Sequence, residues 1–245
     1  MGNIIIVSGV NKAVFDVMGT TYPESKIGEH TAYFGNHAAA YLEHASAEAL
    51  AAAQKIREQV ERKYGITLAS DEMLAGFVLG NLLNKNWAPD IMELSGEVSA
   101  YGYRTGGIKR EVFPDAERMF QHLARKGIDA FLYSTGGRKA LEEMFRTAED
   151  GGVGRLIADY FDTQVVGDKK KPESYENLWR NILRLGSPRE MVFVSDRTDE
   201  VRPALEAGVQ AVFRHNGTEE ERPQNVDYPV ITTLDELAIS RLSRD

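Results

Sequence analysis

Short apolar segments alternate with longer helical segments over much of this chain, and this alternation restricts the fold more than any other feature. The first apolar segment, residues 12–17, contains an aspartate and leads into a glycine turn. The other segments interpreted as strands are residues 128–133, 163–166, 191–194, 210–213 and 230–232. Helical segments of about 11 to 20 residues separate them. Strands alternating with helices predict an α/β fold, a doubly wound parallel sheet with helices on both faces.

Between residues 22 and 107 the pattern is almost entirely helical. Apolar residues recur near helical spacing up to a glycine that suits a helix end, which predicts a helix over about 37–64. A second helix is expected from Ser70 or Asp71 to about Leu83, and residues 84–107 are expected to be irregular. We therefore expect a core domain of residues 1–21 and 108–245 with an inserted helical cap domain of residues 22–107.

Composition excludes several classes of protein. The 245 residues contain no cysteine, which rules out disulfides, thiolate metal sites and a cysteine nucleophile and favours the cytoplasm. The net charge of −8 disfavours nucleic acid as a partner, and the apolar run at residues 4–7 is too short to span a membrane. We expect a cytoplasmic monomer or homodimer that binds a small molecule, with neither nucleic acid nor membrane as a partner.

Polar residues lie at the carboxyl ends of three predicted strands. Asp16 follows the apolar residues of the first strand, Ser134 follows residues 128–133, and Asp196 comes just after residues 191–194. In parallel α/β sheets, ligands bind beyond the carboxyl ends of the strands. The three side chains are therefore expected to meet at one site.

The groups at these positions suit an anionic ligand and a hard cation. Asp16 can act as a nucleophile or a metal ligand, and Thr20 adds a hydroxyl group. The turn at residues 134–137 opens a helix, where hydroxyl and N–H groups suit an anion. One of Lys169–Lys171 can neutralise a phosphoryl group, and the acidic run 196–200 suits a cation that prefers oxygen ligands. Each feature alone is also explained by helix capping or by a solvated surface. The four together, in this order along the chain, indicate a site for an anion and a cation far more specifically.

A set of motifs spans most of the chain: Phe15-Asp16-Val17-Met18-Gly19-Thr20-Thr21, Gly102-Tyr103-Arg104-Thr105-Gly106-Gly107-Ile108-Lys109, Val112-Phe113-Pro114-Asp115, Tyr133-Ser134-Thr135-Gly136, Tyr160-Phe161-Asp162-Thr163, Gly167-Asp168-Lys169 with Ser174-Tyr175, and Ser195-Asp196 with Glu200. This set resembles the haloacid dehalogenase-like (HAD) hydrolase superfamily. Within that superfamily it is most similar to the enolase-phosphatases, or acireductone synthases, of methionine salvage. The resemblance implies a HAD-like Rossmannoid core with a cap domain.

The resemblance also implies a catalytic role for Asp16. In such enzymes the aspartate attacks phosphorus and forms an aspartyl-phosphate, which water then hydrolyses. The implied cofactor is Mg²⁺, held by Asp16, the backbone carbonyl of Met18 and Asp196, with Glu200 or Asp199 in support. Electrostatic neutralisation of this kind is what phosphoryl transfer requires.

Further site residues follow from the same resemblance. Ser134 is expected to bind phosphate oxygens with help from the amide group that follows it. The implied catalytic lysine is Lys169, because Tyr175 lies six residues later as the family pattern requires; Lys171 is a second candidate. The remaining substrate-binding residues are expected to be Thr135, Gly136, Thr20 and Met18. The cap would close over the substrate and exclude water.

Met18 departs from the family pattern. HAD phosphatases usually have an acid two residues after the nucleophile, which protonates the leaving oxygen and later activates water. A thioether cannot carry that proton, and positioned acid–base catalysis typically contributes about 10²- to 10⁴-fold. Relatives that cleave carbon–halogen or carbon–phosphorus bonds also lack the acid. The alternatives are therefore such a hydrolase, or a protein that binds a phosphorylated ligand with weak or lost turnover.

Overall fold

The computed structural model describes residues 4–146, 152–217, 223 and 225–241. The chain divides into two compact units: the first comprises Met1–Glu24, Glu111–Thr135 and Phe145–Asp245, and the second comprises Ser25–Arg110 and Gly136–Met144. The boundaries after Glu24 and after Arg110 each lie three residues beyond the expected boundaries, which were after residues 21 and 107. The sequence did not indicate that residues 136–144 belong to the second unit. The role of the second unit as a cap stays a prediction.

The described strands are β1 (Ile5–Ser8), β2 (Lys12–Phe15), β3 (Asp129–Ser134), β4 (Ile157–Asp162), β5 (Met191–Ser195), β6 (Gln210–Arg214), β7 (Val230–Ile231) and β8 (Leu237–Ser240). The main sheet has the order β4-β3-β2-β5-β6-β7, and its neighbouring strands are parallel. In the register, Phe15 of β2 aligns with Leu132 on one side and with Val194 on the other. The strand order reverses at β2, which makes its carboxyl end the expected ligand site.

The described α-helices are α1 (Lys26–Leu42), α2 (Ala47–Tyr64), α3 (Asp71–Leu83), α4 (Pro89–Thr105), α5 (Pro114–Arg125), α6 (Arg138–Phe145), α7 (Pro172–Glu176) and α8 (Thr198–Glu206). In the first unit, buried aromatic and aliphatic side chains from β3, β5 and α8 form a common core. Phe15 of β2 packs edge-to-face against Phe120 of α5, with ring centroids 5.4 Å apart. These elements confirm the predicted α/β fold. Across the described residues, no helix is both long enough and apolar enough to cross a bilayer.

Most predicted strands in the main sheet are present, with ends shifted by two residues at most. The strand predicted at 163–166 is wrong, because these residues form a turn after β4. Oδ1 of Asp162 accepts hydrogen bonds from the backbone N–H groups of Gln164 and Val165, each at 3.0 Å. β4 lies at an edge of the sheet and includes the partly exposed Tyr160, so its sequence lacks the continuous apolar run of a central strand.

A second small sheet was missed by the sequence reading. Strands β1 and β8 pair in parallel, with Val7 opposite Ile239. The side chains of Ile4 and Ile6 are exposed, so this part of the chain did not resemble a buried strand. The polar residues at 216–228, before the last predicted strand, predict a surface loop. This stretch lies partly outside the described residues, because residues 218–222 and 224 are not included.

Helices α1–α4 pack against one another in the second unit, with α1 against α3 and α2 against α4. The single helix expected over 37–64 is wrong, because α1 starts at Lys26 and ends at Leu42 and α2 follows as a separate helix. Ser46 caps the start of α2 by accepting a hydrogen bond from the Ala49 N–H at 3.1 Å. The irregular stretch expected at 84–107 is also wrong, because it contains α4. Residues 94–100 of α4 are buried throughout, so polar and small residues in that stretch conceal any one-sided apolar pattern.

The partly buried His30 in α1 is expected to make folding of this protein sensitive to pH. Its Nε2 lies 2.5 Å from the hydroxyl of Tyr103, and burial lowers the pKa of His30 from 6.5 to about 4, with opposing effects from Glu29 and Lys26. The unfolded chain therefore binds a proton more readily than the folded chain. The stabilising effect of the neutral ring is complete above pH 6.5 and is lost as the pH falls toward 4.

This shift predicts that the free energy of unfolding falls by about 2 kcal/mol between pH 7.5 and pH 5 through His30 alone. His30→Gln keeps a side chain that can hydrogen-bond to Tyr103 but does not titrate. Urea unfolding at the two pH values should therefore show a smaller loss in His30→Gln than in the wild type. Equal losses in the two proteins would contradict the assignment.

Candidate active site

Asp16 lies directly after β2, at the strand where the sheet order reverses. Its backbone N–H donates to the carbonyl oxygen of Val194 at 2.9 Å, and its side chain is 8% exposed. Oδ1 of the carboxylate accepts a hydrogen bond from Nζ of Lys169, and Oδ2 lies 3.4 Å from Oγ1 of Thr20. A buried carboxylate is therefore fixed at the place where α/β sheets bind ligands.

Residues 17–22 form a tight turn after Asp16. The carbonyl oxygen of Val17 accepts hydrogen bonds from the N–H groups of Thr20, Thr21 and Tyr22 at 2.9–3.2 Å. Gly19 has φ +82°, and a Cβ at this position would lie 2.0 Å from Oδ2 of Asp196. Both its conformation and its surroundings therefore require glycine. The glycine turn predicted from the sequence is confirmed.

Lys169 links Asp16 to the acidic residues after β5. Its side chain is 4% exposed and forms ion pairs with Asp16 and, at 2.8 Å, with Oε2 of Glu200. Burial alone would lower the pKa of Lys169, but Asp16 and Glu200 outweigh burial and raise the pKa, so the ammonium group stays charged. The alternative lysine, Lys171, is exposed.

Two buried tyrosines hold the segment that contains Lys169. Tyr175 donates its hydroxyl hydrogen to the carbonyl oxygen of Lys169 at 2.8 Å, and Tyr133 donates to the carbonyl oxygen of Gly167 at 2.6 Å. Burial is the main cause that raises the pKa of both hydroxyl groups above 10, so both remain donors. The six-residue spacing between Lys169 and Tyr175 thus corresponds to a hydrogen bond.

Asp196 shares the hydroxyl of Thr20 with Asp16. Oδ1 of Asp196 lies 3.1 Å from Oγ1 of Thr20, which in turn accepts a hydrogen bond from the Asp196 N–H at 2.9 Å. Burial, followed by repulsion from Asp16, raises the pKa of Asp196 from 3.8 to about 8. The charge of Asp16 thus opposes the ionisation of Asp196, and a bound cation would relieve this repulsion.

Glu200 and Asp199 differ in their surroundings. Oε2 of Glu200 accepts hydrogen bonds from Ser195 Oγ and Lys169 Nζ, both at 2.8 Å. Burial raises the pKa of Glu200, and the charge of Lys169 opposes that effect. Asp199 instead pairs with the exposed Lys170 at 2.7 Å. Of the two acids considered for support of a metal, Glu200 is therefore the one joined to the network of Asp16.

The donors around Asp16 fit a hard cation such as Mg²⁺. Three buried carboxylates, those of Asp16, Asp196 and Glu200, are joined in one network, and Lys169 pairs with Asp16 and Glu200, so further positive charge is favourable. Among the described residues, the carbonyl oxygen of Met18 has no hydrogen-bond donor, whereas that of Val17 accepts three backbone hydrogen bonds and that of Gly19 accepts one from Asn216. No cluster of three acidic or histidine side chains in the described part could hold a metal alone. Carbonyl oxygen and water would have to complete such a site.

The residues expected to bind phosphate fall in different units. Ser134 ends β3 and is buried, and it aligns with Asp162 of the neighbouring strand. Ser134 and Thr135 belong to the first unit together with Asp16, whereas Gly136 begins the 136–144 segment of the second unit. Their roles in substrate binding stay predictions.

Asn216 was not among the site residues expected from the sequence. Its Nδ2 donates to the carbonyl oxygen of Gly19 at 3.0 Å and to Oδ2 of Asp196 at 2.8 Å. Asn216 comes two residues after the end of β6. A polar residue close to the carboxyl end of a strand was the available signal, the same one that identified Asp196.

Comparison with known proteins gives consistent matches. Residues 12–208 match the model of a protein family described as haloacid dehalogenase-like hydrolase. A protein named enolase-phosphatase E1 from Sulfurihydrogenibium sp. (strain YO3AOP1) is 30% identical over 189 residues, which cover 77% of this chain and 81% of that protein. Enolase-phosphatase E1 from Hahella chejuensis is 29% identical over 234 residues, covering 95% and 97% of the two chains.

A solved structure supports the same fold. The UTR4 protein from Saccharomyces cerevisiae aligns with a TM-score of 0.68 and 24% sequence identity. The alignment covers 92% of this chain and 98% of the yeast chain. The parallel sheet described above is therefore shared with a chain of nearly equal extent.

Proposed function

The chain belongs to the haloacid dehalogenase-like hydrolase family, and we propose that it is a Mg²⁺-dependent enzyme that hydrolyses a small phosphorylated metabolite through Asp16. The observation that carries this proposal is the buried Asp16 carboxylate, paired with Lys169 and sharing the Thr20 hydroxyl with Asp196. The names of the relatives favour an enol or diketo phosphate ester as substrate. The cysteine-free sequence supports a cytoplasmic location as part of the proposal.

In the proposed reaction, a carboxylate oxygen of Asp16 attacks phosphorus and the bond from phosphorus to the leaving oxygen breaks. Water then attacks phosphorus, and cleavage of the bond to Asp16 restores the carboxylate. Lys169 holds Oδ1 of Asp16 and places its charge beside the transferring phosphoryl group. Bound Mg²⁺, held by Asp16, the Met18 carbonyl oxygen and Asp196, would supply further charge neutralisation.

Met18 restricts which substrates can react well. No proton donor is present at residue 18, so a leaving group that departs readily as an anion is favoured over an alkoxide. Aryl phosphates, acyl phosphates and acidic enol phosphates meet this condition. The proposal therefore includes slow turnover of simple alkyl phosphates.

The same residue supports a second candidate. Cleavage of a carbon–phosphorus or carbon–halogen bond does not require the same protonation of a leaving oxygen, and Met18 provides an apolar side chain at that place. A protein that binds a phosphorylated ligand without turnover is also compatible with Met18. Product analysis separates these candidates.

The test is a panel of compounds incubated with the protein and Mg²⁺: sugar phosphates, a diketo phosphate, an aryl phosphate, phosphonoacetaldehyde and a haloacid. We expect phosphate release from the aryl and diketo esters, and loss of that release when EDTA removes Mg²⁺. Phosphate released only from phosphonoacetaldehyde, or halide from the haloacid, would favour the second candidate. Binding of the esters without any product would favour the non-catalytic protein.

A further inference from the structure

Arg214, the last residue of β6, is a buried cation that the proposed reaction does not use directly. Its residue exposure is 5%, and Nη2 pairs with Oδ2 of Asp115 at 2.9 Å. The guanidinium group lies over the ring of Phe113, with 4.6 Å between Cζ and the ring centroid. Oδ2 of Asp115 also accepts a hydrogen bond from the Leu234 N–H at 2.8 Å. The arginine is thus held by the Asp115 carboxylate and the Phe113 ring, and Leu234 in turn fixes Asp115.

The remaining contact of this arginine is with the turn after the nucleophile. Nη1 of Arg214 donates a hydrogen bond to the carbonyl oxygen of Thr20. Thr20 is the residue whose hydroxyl group is shared by Asp16 and Asp196. In the described structure, Nε of Arg214 has no acceptor, although buried N–H groups are normally paired. The burial of Arg214 is therefore not explained by complete hydrogen bonding of its side chain. It is better explained by the contacts of Nη1 with the Thr20 carbonyl and of Nη2 with the Asp115 carboxylate.

The carbonyl groups on both sides of Thr20 are fixed in the same way. That of Gly19 accepts a hydrogen bond from Asn216, and that of Thr21 accepts one from the Phe113 N–H at 3.0 Å. Since each of these carbonyl groups has a donor, the turn cannot rotate its peptide planes without losing hydrogen bonds. The carbonyl of Met18 is thereby left as an acceptor of fixed direction.

We propose that Arg214, oriented by Asp115, is a positioning residue that holds the turn at residues 17–22 in the geometry needed for the Met18 carbonyl and the Thr20 hydroxyl to serve the proposed cation site. This inference rests on the proposed function, because that function supplies Mg²⁺ as the cation at this site. Arg214 acts through the Thr20 carbonyl and touches neither substrate nor metal. Its loss should therefore weaken cation binding first and lower turnover as a consequence.

The test replaces Arg214 with lysine, which keeps the charge but cannot donate to Thr20 and Asp115 from a planar fork. The matched control is Arg118→Lys, which alters a surface arginine paired with Asp235 through two hydrogen bonds of 2.9 and 2.5 Å in the same unit. Isothermal titration with Mg²⁺ should show about 10- to 100-fold weaker binding in Arg214→Lys than in the control. Turnover of an aryl phosphate should fall in kcat, with KM changed by less than about threefold, and should recover as Mg²⁺ is raised.

Asp115→Asn provides a second variant, since it leaves Arg214 in place and can still accept from Leu234. Asp115→Asn should also weaken Mg²⁺ binding and lower kcat, but by less than Arg214→Lys. If circular dichroism shows that Arg214→Lys is unfolded, the result for Asp115→Asn is the test of the inference. Mg²⁺ affinity and kcat equal to those of Arg118→Lys would overturn the inference and leave the proposed function standing. A wild type that binds Mg²⁺ but releases no product would refute the proposed function while the titration still tests Arg214. A wild type that binds no Mg²⁺ would refute both.

Discussion

Asp16→Asn is expected to reduce turnover by about 10⁴-fold or more, because an amide cannot replace the carboxylate that attacks phosphorus. The protein should remain folded. Lys169 keeps its ion pair with Glu200, and removal of one carboxylate lessens the repulsion that raises the pKa of Asp196. Release of phosphate from an aryl phosphate, measured together with the thermal unfolding midpoint, tests both expectations.

Asp129→Asn is the matched control for that substitution. Asp129 lies at the opposite end of the sheet, where it forms a partly exposed ion pair with Lys12 at the starts of β3 and β2. The same chemical change there should leave kcat unaltered. If neither Asp16→Asn nor Asp129→Asn loses turnover, Asp16 is not the group that attacks phosphorus.

Met18→Glu is expected to raise hydrolysis of a phosphate ester with a poor leaving group by about 10²- to 10⁴-fold. A carboxyl group at this position can protonate the leaving oxygen and then activate water, which the thioether cannot do. An aryl phosphate should gain much less in the first step, because its leaving group departs as a stable anion. The measurement is the ratio of kcat/KM for an alkyl phosphate to that for an aryl phosphate.

Met18→Gln separates the proton from the change in polarity. Glutamine has nearly the size of glutamate and is polar, but it carries no proton to transfer, so the ratio should remain near that of the wild type. A ratio that is unchanged in Met18→Glu, or raised equally by Met18→Gln, would show that the absent acid does not limit this protein.

The main sheet could be predicted from the sequence because its central strands are buried on both faces and are therefore apolar throughout. The strand at 191–195 is completely buried, and its sequence is a continuous apolar run up to Ser195. The edge strand β4 and the buried helix α4 do not follow these patterns. In β4, Asp159 and Tyr160 are only partly buried and interrupt the apolar run, and in α4 burial on most sides removes the one-sided periodicity.

Part of the site was predictable for a similar reason. Asp16 and Asp196 each come at the end of an apolar strand, and the parallel sheet brings them to a common turn residue, Thr20. The hydrogen bonds from Arg214 to the Thr20 carbonyl and from Asn216 to the Gly19 carbonyl were not predictable, because both are made to the main chain. Such contacts depend on the path of the backbone, which residue types and their spacing do not specify.

The assignment of residues 136–144 to the second unit has a consequence for engineering. Lys139 in this segment pairs with the buried Glu97 of α4 at 2.8 Å, and Nε of Arg110 donates to the carbonyl oxygen of Glu143 at 3.0 Å. Excising only Ser25–Arg110 would leave α6 without Glu97 and Arg110. A chimera that exchanges this helical module with one from a relative must therefore splice two separate stretches of polypeptide, not one.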